Sequence, residues 1–186
     1  MNKKKILVLL ATLVISTALA ACGNSDGGYT TGDNSKDGRS QVSQGELQSI
    51  PDFSAEDIER NKIDNSIFKE NKVTLVNVWA TWCGPCVNEL PEIQKVYSEL
   101  KDKGIGVVGI VADGNDAKDT AKELIELDSL TYKIIIPDSN LEKKLISTLR
   151  GFPTSYVVDS EGKILGMKLG GMNAEGFKAF IEQYAK

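Results

Sequence analysis

Cys83 and Cys86 are the residues best suited to chemistry in this chain, and they sit in the run Trp82-Cys83-Gly84-Pro85-Cys86. Two cysteines at this spacing can hold a metal, attach haem, close a structural disulfide or exchange disulfides. A structural zinc site needs four ligands, and the sequence has three cysteines and no histidine. A c-type haem site needs histidine directly after the second cysteine, where this chain has Val87. A disulfide closing so short a loop restricts the unfolded chain little, so its purpose is not stability. A dithiol/disulfide redox centre is left.

The flanking stretches supply a reason for the reactivity. Val73-Thr74-Leu75-Val76-Asn77-Val78-Trp79 is apolar and β-branched, as a strand covered on both faces is. Val87 to Leu100 has helical spacing, with Val87, Leu90, Ile93, Val96, Tyr97 and Leu100 on its apolar side. The pair therefore stands where a buried strand turns into a helix. The first helical turn has unpaired N–H groups and the positive end of the macrodipole. A thiolate on Cys83 is stabilised there, which lowers its pKa. Cys86 lies one helical turn on, within reach for a disulfide with Cys83.

Val76-Asn77-Val78-Trp79-Ala80-Thr81-Trp82-Cys83-Gly84-Pro85-Cys86, followed by Glu89-Leu90-Pro91-Glu92, resembles the TlpA/ResA group of thioredoxin-fold, extracytoplasmic thiol–disulfide oxidoreductases. Gly151-Phe152-Pro153-Thr154-Ser155-Tyr156-Val157-Val158-Asp159 is similar to the group's cis-proline segment. The resemblance covers about residues 50–186. It implies an α/β thioredoxin fold: a central mixed sheet flanked by helices, with an N-terminal extension and a helix–strand insertion at about 116–137. It implies that Cys83 is the nucleophile and Cys86 the resolving thiol, that Gly84 and Pro85 tune the potential, and that Pro153 is cis. Trp82 and Phe152 become client-binding residues, and Trp79 and Trp82 shield the sulfurs. Glu89 either exchanges a proton with Cys86 or is a solvated helix-face carboxylate; only apolar surroundings would bring it near neutrality. Thioredoxin has a buried aspartate where this chain has Asn77, which cannot titrate and reads as a satisfied core amide. No metal and no cofactor beyond the Cys83–Cys86 disulfide is implied.

The chain begins Met1-Asn2-Lys3-Lys4-Lys5, then runs apolar from Ile6 to Ala21. This is a basic and then hydrophobic leader, short of the ~20 residues of a spanning helix. Leu19-Ala20-Ala21-Cys22 resembles a bacterial lipobox, which implies cleavage after residue 21 and a lipid on Cys22. Cleavage removes three lysines and no acid, taking the formal charge from −4 to −7. No basic patch remains, which argues against nucleic acid. Residues 22–45 are rich in Gly, Asn, Ser and Asp and read as a tether with a reach of roughly 25 Å.

Residues 46–186 read as one domain. A small hairpin or an extended segment capping the sheet is expected within 52–68, with turn-like residues at Arg60-Asn61. The other expected elements are strands at 104–113, 133–136, 155–159 and 163–169, and helices at 116–128 and 173–186. A further helix, capped by Ser139 or Asn140, is expected to run to about Leu149. Pro91 should kink the helix that follows the cysteines. Ser160-Glu161-Gly162 is a hairpin turn.

A reductase is expected, because Cys-Gly-Pro-Cys is thioredoxin's own pair, with a potential near roughly −270 mV. The resemblance implies a monomer held at the bacterial membrane by its lipid and recharged by a membrane thiol carrier of the CcdA/DsbD type. Its clients are disulfide-bearing proteins such as cytochrome c apoproteins, a methionine sulfoxide reductase or other secreted proteins. Three rivals stand beside this. A thiol peroxidase of the peroxiredoxin class wants threonine three residues before its attacking cysteine, where this chain has Ala80. A disulfide-donating oxidase would have a strongly oxidising pair. A non-enzymatic binding lipoprotein would keep the fold with an inert disulfide.

Overall fold

The computed structural model describes residues 47–185. The leader, Cys22 and the tether lie outside the described residues. Among the described residues, no helix is long and apolar enough to cross a membrane.

A hairpin of β1 (Ser54–Asp57) and β2 (Lys62–Asp64) opens the fold. It turns through Arg60, which has a left-handed backbone at φ 72°. Asp57 holds the turn by accepting the N–H groups of Glu59 and Asn61 at 2.9 and 2.8 Å. A short 3-10 helix, Asn65–Glu70, leads into β3 (Val73–Trp79). Next come α1 (Gly84–Leu100), β4 (Ile105–Val111), α2 (Lys118–Leu127) and β5 (Lys133–Ile136). The chain ends with α3 (Ser139–Lys144), β6 (Thr154–Asp159), β7 (Ile164–Leu169) and α4 (Ala174–Glu182).

The seven strands form one mixed sheet in the order β2-β1-β5-β4-β3-β6-β7. β3 pairs parallel with β4 and antiparallel with β6, so it lies inside the sheet. Every residue of β3 and β4 is buried. That is the reason their sequences are nearly continuous in Val, Ile and Leu. On one face Leu75, Trp79, Val107 and Val111 pack with Leu90 and Ile93 of α1, Ala121 of α2 and Phe177 of α4. On the other, Val76, Val78, Val108 and Ile110 pack with Phe68 and with Leu141 of α3. β5, from the segment read as an insertion, lies between β4 and the opening hairpin.

Three local expectations change. The helix after Pro137 is capped by Asp138, not by Ser139 or Asn140. Its Oδ1 accepts the N–H groups of Asn140 and Leu141 at 3.1 and 2.9 Å, and a carboxylate is as good a cap as serine or asparagine. That helix stops at Lys144 and continues as a 3-10 turn over Ile146–Thr148. The terminal helix is shorter than 173–186, ending at Glu182, with Asn173 as its cap accepting the Gly176 N–H at 2.9 Å. The hairpin turn at 160–162 forms as expected, with Gly162 at φ 78°. α1 runs unbroken through Pro91.

Candidate functional site

The site forms at the end of β3, where Ala80-Thr81-Trp82 carries the chain into α1. Cys83 is the N-cap of α1, and its Sγ accepts the Cys86 N–H at 3.3 Å. The helix thus turns one of its unpaired donors onto the sulfur. Gly84 and Pro85 fill the first helical turn, where a missing proline N–H costs nothing. Cys83 and Cys86 are joined as a disulfide with their Cα atoms 5.2 Å apart. Cys83 keeps 6 % exposure and Cys86 none, so the first sulfur is the one a partner can approach.

Thr81 had no role in the sequence reading. Its N–H and Oγ1 donate to the Asp113 carboxylate just beyond β4, at 3.1 and 2.6 Å. The contact ties the loop before Cys83 to the neighbouring strand. Trp79 is wholly buried beneath the site. Trp82 is 71 % exposed, a large apolar side chain standing out at the surface directly before Cys83. Its ring meets that of Phe152 edge-on, with centroids 5.8 Å apart. Phe152 precedes Pro153 through a cis peptide bond. The Pro153 carbonyl accepts the Gly170 N–H at 2.9 Å. The loop before α1 and the cis-proline segment, about seventy residues apart in sequence, therefore share one apolar surface.

Glu89 lies one turn after Cys86 and points into the protein, with 2 % exposure. Its Oε1 accepts Asn77 Nδ2 at 2.7 Å, and its Oε2 accepts the Met172 N–H at 3.1 Å. Burial pushes its pKa up from 4.5 to about 7, against the two hydrogen bonds, which favour the charged form. The apolar surroundings required of Glu89 are present; it is not a solvated helix-face residue. The same buried region holds Tyr132, whose pKa rises through burial first and the Glu89 charge second.

Asn77 is only half satisfied. Its Nδ2 serves both Glu89 and Ser155 Oγ, the latter at 3.0 Å, while its Oδ1 has no partner. The register explains the grouping: Asn77 sits opposite Ser155 on β6 and Gly109 on β4, all on the face that α1 covers. Ser155, Met172 and Asp113 were missed as site residues. One signal for Glu89 was available. Cys86, Glu89, Ile93, Val96 and Leu100 recur at alternating spacings of three and four, the pattern of a buried stripe, and all five are buried.

The AhpC/TSA family model matches residues 47–167. The thiol-disulfide oxidoreductase ResA of Halalkalibacterium halodurans is 30 % identical over 97 % of this chain and 96 % of its own length. The thioredoxin-like protein YneN of Bacillus subtilis is 31 % identical over 72 % of this chain and 77 % of its own. Among solved structures, StoA from Bacillus subtilis superposes with a TM-score of 0.58 at 26 % identity, covering 72 % of this chain and 98 % of StoA. A thiol:disulfide interchange protein from Chlorobium tepidum matches with a TM-score of 0.64 at 22 % identity, over 77 % of this chain and all of its own. The fold is thioredoxin-like.

Proposed function

Since the chain belongs to the AhpC/TSA family, among its ResA-like thiol–disulfide oxidoreductases, we propose that it reduces disulfides of extracytoplasmic proteins from a lipid anchor on Cys22. The observation that carries the reading is the Cys83–Cys86 disulfide at the start of α1, with the Cys86 N–H directed at Cys83 Sγ.

In the reduced protein the Cys83 thiolate attacks one sulfur of a client disulfide. A mixed disulfide forms and one client thiolate leaves. Cys86 is fully buried, away from water that could take its proton. The Glu89 carboxylate, one turn away, takes its proton. The Cys86 thiolate then attacks Cys83 Sγ, and the second client thiolate departs. The client gains two electrons, and the enzyme is left as the Cys83–Cys86 disulfide. Two electrons from a dithiol of a membrane thiol carrier of the CcdA/DsbD type restore it. Trp82 and Phe152 offer an apolar edge for the client segment around its cysteine, and the chain beside Pro153 lines its path.

The test is Cys86→Ser, which leaves Cys83 able to attack but removes the thiol that resolves the mixed disulfide. Stable adducts through Cys83 to extracytoplasmic proteins are expected, together with reduction of insulin by the unaltered dithiol. No adducts and no insulin reduction would refute the reading. A reduction potential near roughly −120 mV instead of roughly −270 mV would make the protein a disulfide donor.

A further inference from the structure

The segment between β7 and α4 crosses α1 and is fastened at three points. The Gly170 N–H donates to the Pro153 carbonyl at 2.9 Å. The Met172 N–H donates to Glu89 Oε2 at 3.1 Å, and the Ala174 N–H donates to Glu92 Oε2 at 3.0 Å. Two carboxylates three residues apart on α1 thus hold alternate main-chain amides of one strap. Gly171 lies between the fastenings: a Cβ there would stand 3.4 Å from Glu89 Oε2 and 3.6 Å from the Pro85 carbonyl. Gly171 is itself exposed, so on this side a single thickness of main chain separates Glu89 from water.

Glu92 differs from Glu89 in its surroundings. Its side chain is 27 % exposed and pairs with Lys95. Ala174 is the first residue of α4, so Glu92 also places a negative charge at that helix's positive end. The Lys95 ammonium and the Ala174 amide both hold the Glu92 carboxyl below its usual range, so it stays charged wherever Glu89 titrates.

We infer that Glu92 is a positioning residue for Glu89: it fixes the Gly171–Ala174 strap over the Glu89 carboxyl and keeps water away from it. The inference rests on the reading of Glu89 as the group that takes the Cys86 proton, but its test reads Glu89 directly. Tyr132, from the segment before β5, feels the Glu89 charge, and Glu92 follows one turn on along the same helix; Cys86, one turn back, is held in the disulfide and does not titrate. Asn77 of β3 bonds Glu89 directly and Ser155 of β6 bonds Asn77; the strap contributes only main chain at Glu89.

The full oxidised chain, carrying 13C in its glutamate side-chain carboxyls, is titrated by NMR, with the Glu89 signal assigned from Glu89→Gln. Glu92→Leu removes both the charge and the oxygen that accepts the Ala174 N–H. The Glu89 midpoint should fall from about 7 by about half a pH unit or more, because hydration favours the carboxylate. Glu92→Gln removes the charge but keeps an accepting oxygen, and should leave the midpoint within about 0.2 unit of the parent. An equal fall in both variants would reduce the effect to lost charge repulsion and overturn the inference, as would no fall in Glu92→Leu. Should Glu92→Leu not fold, Gly171→Ala serves: its methyl thickens the cover and should raise the midpoint, and an unchanged or lower one overturns the inference. Glu89→Gln reads the proton-transfer role separately. If the pH profile of insulin reduction is unchanged in that variant while the Glu92 shifts hold, the catalytic reading fails and the strap stands.

Discussion

Replacing Glu89 by glutamine should make the oxidised protein's stability nearly independent of pH between 5 and 8. In the folded protein Glu89 holds its proton up to about pH 7, whereas an ordinary glutamate releases it near 4.5. Between those values the native state binds one more proton than the unfolded chain, so stability falls as pH rises. The contribution is fully present below 4.5 and lost as pH passes through 7. At about 1.4 kcal/mol per pK unit, the loss between pH 5 and pH 8 comes to about 2.5 kcal/mol. The sequence has no histidine, and Cys83 and Cys86 are tied up as the disulfide. Among the described residues, no other side chain has its ordinary titration in that window. Urea unfolding of the oxidised protein at pH 5 and pH 8 measures the difference. The parent should lose about 2.5 kcal/mol and Glu89→Gln almost nothing. Equal pH slopes in the two proteins, or a parent more stable at pH 8, would refute the reasoning.

Three further outcomes follow from the same geometry. A Cβ at Gly84 meets nothing within 4 Å, so Gly84→Glu should fold normally while its carboxylate, beside the sulfur, raises the Cys83 pKa and slows alkylation at neutral pH; an unchanged alkylation profile would contradict this. Asp113→Ala removes the acceptor for both Thr81 donors and should cost about 1–3 kcal/mol in urea unfolding; a loss below about 0.5 kcal/mol would mean the loop is held elsewhere. Trp82→Ala removes an exposed ring that meets Phe152, so it should raise KM for a protein client several-fold and leave reduction of a small disulfide intact; an equal loss on both would place Trp82 in the chemistry instead.

The elements around the cysteines were legible because their signals are local. β3 and β4 announce themselves as largely apolar runs, broken in β3 only by Thr74 and Asn77, and the strand-to-helix switch at Cys83 is a change of period within a few residues. The cap at Asp138 was also local, but three polar residues in succession, Asp138, Ser139 and Asn140, can all cap, and the choice depends on which main-chain N–H groups face the side chain. The surroundings of Glu89 were legible only in part. The helical stripe could have turned it inward, yet its partners are Asn77, 12 residues earlier, and Met172, 83 residues later. Strand register and the path of the β7–α4 segment bring these together, and neither is written in any short window. Thr81 met its partner Asp113 for the same reason, across the β3–β4 pairing.

Asn77 is nearly the same shape whichever way its amide faces. As it stands, it gives a donor to Glu89 and leaves its oxygen idle. A half-turn about the last side-chain bond, a broad two-fold torsion, would exchange donor for acceptor. The oxygen would then receive the O–H of a protonated Glu89, and the Ser155 hydroxyl could swing round to donate as well. One neutral side chain can therefore follow a neighbouring carboxyl through loss and gain of its proton like a weathervane, without a second charge entering the interior.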